Sequence, residues 1–477
     1  MSDFIVLKDG QKLLFSDLID LVSRDVYFTG TNYEVARFLA EKFGIENVIK
    51  QKVLVNTLFF RSRFVKMWCA LIWLIRENEI DVVEINSNHE FTAALSEQFL
   101  PSDITTISKD PTENMLLPNS MYFRIAVKIV INLLYRIFFI RKSDSTQYVR
   151  AWVDVSKQIY EQEFKQARIL VYPFILNFRR HFRFLYQTFF VDKSSVSLCG
   201  LPYRIKDIGT LVKGYFTKDI KSIIEVEYGA YNRHAVELVA LGAETIYTTD
   251  EFDPVGIAFN EELVRNGVRV VNTTHGVGVY MPYVAYNDFY VFNQAQIEYY
   301  SRYNQVDRYL YRSRQNSAPK FSGAESGEFQ FGLVYIYAPF EPKKVFEYEF
   351  KIQEELMAYL KKLASKTGTP FYIKTHPNQS ETSKDALKSQ CDSVCNQWID
   401  IPLNNPVFVH IKSTAYYDLY EIAPVITYKS KFLFPEVYFG ETIQTVSKEM
   451  FEASLISLSN PAEWGQAVEL QKMRVGT

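Results

Sequence analysis

A rhythm constrains this chain more than anything else in it. Short β-branched and aromatic runs alternate with helical stretches that glycines close. Residues 168–172, 196–199, 222–227, 245–248, 269–273 and 289–292 read as strands. Helices over 232–241 and 254–266 lie between them, stopped by Gly242 and Gly267. Strands at 332–338, 371–373, 407–411 and 425–428 continue the pattern, with a long helix over 343–366. Residues 25–110 carry the same alternation, with strands at 25–30, 52–59, 81–85 and 104–107 and a helix over 32–43. Strands joined by helical crossovers make parallel sheets, so an α/β chain of Rossmann-like units is expected.

The chain has 477 residues, too many for one core. Residues 1–150 read as an N-terminal α/β unit, 151–305 as a Rossmann-like domain, 306–330 as a linker and 331–477 as a second Rossmann-like domain. The linker contains Ser313-Arg314-Gln315-Asn316-Ser317-Ala318-Pro319. A formal net charge of −2 argues against nucleic acid as a partner held by bulk charge. Four scattered cysteines, Cys69, Cys199, Cys391 and Cys395, suit neither a disulfide framework nor a zinc site. No signal-peptide pattern opens the chain, so a cytoplasmic location is expected.

In open α/β sheets, ligands bind just beyond the carboxyl ends of strands. Four such ends carry chemistry. Phe371-Tyr372-Ile373 runs into Lys374-Thr375-His376-Pro377-Asn378, which offers a cation and an imidazole to an anion. Pro377 ends the strand and stiffens the exit. Val407–Ile411 leads to Ser413-Thr414 before a helix over 415–422, which reads as a phosphate site or a plain cap. Residues 245–248 lead to Asp250-Glu251-Phe252-Asp253, where Asp253 suits the cap of the helix that Pro254 opens. Residues 269–273 lead to Thr274-His275-Gly276-Val277-Gly278, where the glycines allow close backbone approach to a ligand. Asp250, Glu251 and His275 are the candidates for a general base, and His275 has the unperturbed pKa best suited to neutral pH. No metal site and no cofactor are expected.

Residues 121–142 are apolar but carry Arg124, Lys128 and Arg136 at helical spacing. Two readings stay open: an amphipathic helix at a membrane interface, joined by the segment with Trp68 and Trp73, or buried helices whose charges reach solvent.

The order of these motifs over about residues 245–430 resembles bacterial GT-B glycosyltransferases. It looks most like the sialyl-, polysialyl- and Kdo transferases that use CMP-activated acidic sugars. The resemblance implies a GT-B fold of two Rossmann-like domains facing across a cleft, with the N-terminal α/β unit in addition. The 151–305 domain takes the acceptor side and 331–477 the nucleotide donor. Carried over by motif, Asp250 and Glu251 match the paired acid that supplies the base. His376-Pro377 matches the nucleotide-phosphate contact, and Ser413-Thr414 the phosphate-binding pair. The chain departs from the sialyltransferase pattern at Phe252, where that pattern has Gly. His275-Gly276 is instead similar to CDP-glycerol and CDP-ribitol phosphotransferases. The implied partners are a nucleotide-sugar donor and an oligosaccharide or lipid-linked acceptor of surface polysaccharide or lipooligosaccharide, reached from the inner face of the membrane. A polyol phosphotransferase, a sugar-nucleotide epimerase and a non-catalytic GT-B scaffold are the alternatives.

Overall fold

The computed structural model describes residues 3–28, 30–107, 116–136, 145–151, 159–160, 162–173, 186, 196–274, 276–277, 281–312, 319–325, 329–338, 347–376, 379, 381–440 and 445–476. The chain forms two units. The first holds Met1–Leu18, Gly30–Val291 and Ile297–Arg312; the second holds Ile19–Thr29, Phe292–Gln296 and Ser313–Thr477.

The first unit begins with β1 (Phe4–Leu7), β2 (Lys12–Leu14), β3 (Val82–Asn86) and β4 (Thr105–Ile107), in the order β2-β1-β3-β4. Only β3 and β4 pair parallel, so this sheet is mixed rather than parallel as expected. Two of its expected strands are absent. Arg24–Phe28 is a 3-10 helix. Residues 52–59 lie in the helix Val48–Arg61, which Asn47 starts by accepting from the Lys50 amide at 3.0 Å. Every residue from Val53 to Phe59 is buried there. A helix apolar on all sides shows no 3.6-residue period, so its β-branched run imitates a strand.

The second sheet of this unit contains β5 (Gln147–Ala151), β6 (Arg168–Val171), β7 (Val196–Leu198), β8 (Thr245–Thr248), β9 (Arg269–Thr273), β10 (Asp288–Val291) and β11 (Arg308–Tyr311). Its order is β11-β10-β9-β8-β5-β6-β7, and every pair is parallel. The expected boundary at residue 150 falls inside β5, and β11 lies in the stretch read as a linker. Residues 222–227 are not a strand but part of the helix Ile220–Ala240, capped by Asp219. Buried Asn56 ties the N-terminal helices to this sheet. It donates to the Tyr283 carbonyl at 2.8 Å and accepts from the Tyr283 amide at 3.0 Å. Paired this way, a buried side-chain amide substitutes for a strand edge.

Trp68 and Trp73 are buried in the helix Arg63–Arg76, which removes them from any membrane contact. The helix Ser120–Arg136 covers the described part of residues 121–142. Its basic stripe is largely spent inward. Lys128 donates to Glu227 at 2.8 Å, and Arg136 donates to both oxygens of Glu237.

The second unit contains β12 (Phe331–Ile336), β13 (Phe371–Lys374), β14 (Ser393–Cys395), β15 (Asn405–His410), β16 (Val425–Tyr428) and β17 (Thr445–Val446). Their order is β14-β13-β12-β15-β16-β17, all parallel. Leu333, Tyr335, Ile373, Val407 and Val409 pack with Leu356, Leu360 and Phe451 of the flanking helices. Both large sheets are therefore open, parallel and Rossmann-like, as the α/β rhythm implies.

His410, at the end of β15, is fully buried, and its Nε2 pairs with the Thr427 hydroxyl at 3.0 Å. Burial pushes its pKa down to about 3. The folded chain keeps this imidazole neutral, while the unfolded chain protonates it near pH 6.5. Its contribution to stability is therefore full above pH 6.5 and is lost as pH falls toward 3. Between pH 7.5 and 5.5 the loss is about 1.4 kcal/mol. Denaturant titrations at the two pH values should show a smaller difference for His410→Asn than for the wild type, whatever the substitution costs at either pH. An unchanged difference would contradict the assignment.

Candidate functional site

The order of the second unit's sheet defines a switch point. From β12 the chain moves outward through β13 and β14, then returns to the other side of β12 at β15. The crossovers diverge there, and the carboxyl ends of β12 and β15 are where open α/β sheets hold ligands. The β12 exit is clamped by buried Gln353. Its side chain accepts from the Ala338 amide at 2.9 Å and donates to the Ala338 carbonyl at 3.1 Å.

Ser413 follows β15 and is half-buried. Its hydroxyl oxygen accepts from the Ala415 amide at 3.3 Å, the capping contact. Accepting leaves its O–H free to donate, since no acceptor for it occurs among the described residues. Thr414 is half-buried beside it, and its carbonyl accepts from the Tyr417 amide at 3.0 Å. The helix that follows is one turn, Tyr416–Leu419, not the expected 415–422. A single turn has little macrodipole, so the side chains must carry any anion recognition here.

His376 follows β13 and is exposed. Partial desolvation, with the Lys374 charge, holds its pKa below the usual imidazole range. It therefore stands at neutral pH as an uncharged donor and acceptor. Lys374 does not reach out as the sequence suggests. It is buried, donates to the Thr375 carbonyl at 2.8 Å and lies 4.8 Å from the Trp398 ring centroid. Burial lowers its pKa. Pro377 lies outside the described residues. His376 and Ser413 belong to strands that flank β12, so about 10 Å separates their strand axes. A nucleotide covers that span; an isolated phosphate does not.

Sequence reading missed the group beneath this edge. Lys412, the residue before Ser413, is buried between Asp25 and Glu349. Asp25 also accepts from the Tyr438 hydroxyl at 2.7 Å and from the Phe434 amide at 2.8 Å. The available signal was a lysine directly after Val407-Phe408-Val409-His410-Ile411, an otherwise apolar run.

The first unit's large sheet also has a switch point, between β5 and β8. The acid of the expected pair that lies nearest to it is used in the core. Asp250 is buried and takes donors from Arg150, from the Tyr286 hydroxyl at 2.9 Å and from Asn260 at 3.3 Å. Arg150 is walled by Phe259, Tyr172 and Tyr231 at 4.2, 5.4 and 5.4 Å from the ring centroids. Desolvation raises the Asp250 pKa, and the Arg150 guanidinium offsets part of that. A carboxylate enclosed this way is not open to an acceptor hydroxyl, which corrects its reading as a base. Glu251 is buried too, accepting from Thr274 at 3.2 Å and Asn272 at 3.3 Å. Thr274 Oγ1 also meets the Gly276 carbonyl at 2.9 Å, and Arg312 donates to the Thr274 carbonyl at 2.9 Å. Glu251 thus helps fix the turn after β9. His275 lies outside the described residues. Asp253 accepts from the Val255 amide at 3.1 Å in a turn ahead of the helix Gly256–Arg265. The N-cap of that helix is Val255, with no side-chain capping bond, so the expected Asp253 cap and the start at Pro254 are not what forms.

The fold defines an α/β protein with two open parallel sheets. No protein-family model matches the sequence, and no curated protein matches it. One solved structure, LpCGTa in complex with UDP, aligns with a TM-score of 0.39 and 9% identity, over 69% of this chain and 94% of that one. A likeness at that level carries no functional argument.

Proposed function

We propose that this chain is a glycosyltransferase of the GT-B type that moves a sugar from a nucleotide-activated donor. The observation that carries the reading is the pairing of an uncharged His376 and a donating Ser413 on either side of the β12 carboxyl end. Donors so placed hold a nucleotide along this edge, and a donor that meets its leaving phosphate stabilises the developing charge without a metal. The order of motifs favours a CMP-sugar such as sialic acid or Kdo, and an acceptor in bacterial surface polysaccharide or lipooligosaccharide. Of the three base candidates, His275 is the one we assign to the acceptor hydroxyl. Glu251 is then a positioning residue, acting through Thr274.

Products separate this reading from its competitor. Incubated with a panel of CMP-sugars, UDP-sugars and CDP-glycerol, the protein is expected to release free sugar and the nucleotide from one sugar donor. Release of glycerol phosphate from CDP-glycerol alone would make it a polyol phosphotransferase. No turnover of any donor, with or without oligosaccharide acceptors, would leave a scaffold.

A further inference from the structure

Two neighbouring helices of the first unit leave large apolar side chains in water. On Ser120–Arg136, Phe123 is 71% exposed, and Val130 and Leu134 are exposed with it. These positions lie within about 60° of one another around the helix. On Ile205–Thr217, Ile205 is 80% exposed and Phe216 77%, with Val212 exposed between them. These three are spaced by seven and four, again one stripe. The helices meet where the Tyr122 and Tyr215 rings contact edge to face at 5.9 Å. Their inward faces are complete, with Ile125, Ile129 and Leu211 buried and Lys128 and Arg136 bonded to acids. The outward stripes are therefore a surface that the described residues leave uncovered.

Charge indicates what covers it. Arg124, Lys206 and Lys213 are exposed on these helices, and none has an acidic partner among the described residues. The first helix contains no acid. The single acid of the second, Asp207, is buried and bonded to Arg233 at 2.9 Å. Lys218 and Lys221 stand exposed just beyond. This concentration of cations lies on a chain whose formal net charge is −2. A twofold contact with a second copy would press the same cations together. An anionic surface that is apolar just below its charges matches both features.

We propose that this two-helix face docks on an anionic lipid bilayer, the phenylalanines entering the headgroup boundary and the lysines meeting the lipid charges. No helix among the described residues is long and apolar enough to cross a membrane, so the contact is interfacial. The proposal goes beyond the glycosyltransferase reading and does not depend on it.

Co-sedimentation of the full chain with vesicles tests it. Vesicles of phosphatidylcholine with phosphatidylglycerol should bind the protein, and phosphatidylcholine alone should not. Salt near 1 M, where the Debye length is about 3 Å, should release most of it. Phe123→Glu with Phe216→Glu should abolish binding; both sites are exposed, and circular dichroism checks the fold. Lys206→Glu with Lys213→Glu should weaken partitioning by about 25-fold or more, since each cation at an anionic surface is worth about fivefold. Equal binding to both vesicle types, or binding unchanged in both double variants, would overturn the proposal. So would an absence of binding together with a dimer that the phenylalanine variants dissociate, which would assign the face to a second copy.

Discussion

Replacing His376 with alanine is expected to lower turnover about 100- to 1000-fold, the loss typical of one donor aimed at developing charge. The side chain is exposed at the end of β13, so the fold should survive, with an unfolding midpoint close to that of the wild type. His376→Asn keeps a neutral donor and should recover part of the loss. Because His376 is held below its ordinary pKa, it is already uncharged at neutral pH. Raising the pH from 7 to 8 should therefore change nothing through this residue, whereas a charged imidazole would lose its proton and its activity. Steady-state rates for the two variants across pH decide the matter. Wild-type turnover in His376→Ala would remove this edge from the reaction.

The largest stability effect should come from Lys412→Met. Lys412 is the cation between two buried carboxylates, Asp25 and Glu349. Its removal leaves two like charges without a counter-ion, and breaking a buried pair costs about 3–5 kcal/mol. Glu349→Gln keeps the shape and leaves a balanced Asp25–Lys412 pair, so it should cost much less, about 1 kcal/mol. Asp25 belongs to the Ile19–Thr29 segment, which is part of the second unit despite its early position in the chain. Lys412→Met should therefore free that segment to early proteolysis as well. Equal destabilisation by Lys412→Met and Glu349→Gln, measured by denaturant unfolding, would show that charge balance is not what holds the cluster.

Local pattern made the two large parallel sheets legible. Strands such as Thr245–Thr248, Arg269–Thr273 and Phe371–Lys374 are short β-branched or aromatic runs closed by turns, and Gly242 and Gly267 take positive φ as helix stops should. Two of the failures share a physical cause. Residues 53–59 are buried at every position, and in 222–227 only Glu225 is exposed, so these β-branched runs lost the helical period to burial. β5 was hidden for the opposite reason: Gln147 and Arg150 make it look polar, because Arg150 is there to pair with Asp250. That same long-range pair, 100 residues apart, is why Asp250 could not be told from a base in sequence. The places of His376 and Ser413 just beyond β13 and β15 were readable because both strands are short, largely apolar runs with sharp ends. The inward turn of Lys374 was not, because Trp398 and Thr375 draw it in.

Equilibrium titration of nucleotides into the wild type, His376→Ala, Ser413→Ala and His275→Ala tests the central claim most directly. One nucleotide should bind the wild type and bind His275→Ala equally well. His376→Ala and Ser413→Ala should each weaken it by about tenfold or more, the loss of one hydrogen bond to a charged group. Failure of every nucleotide to bind, or equal affinity across all four proteins, would contradict a donor site at the β12–β15 edge.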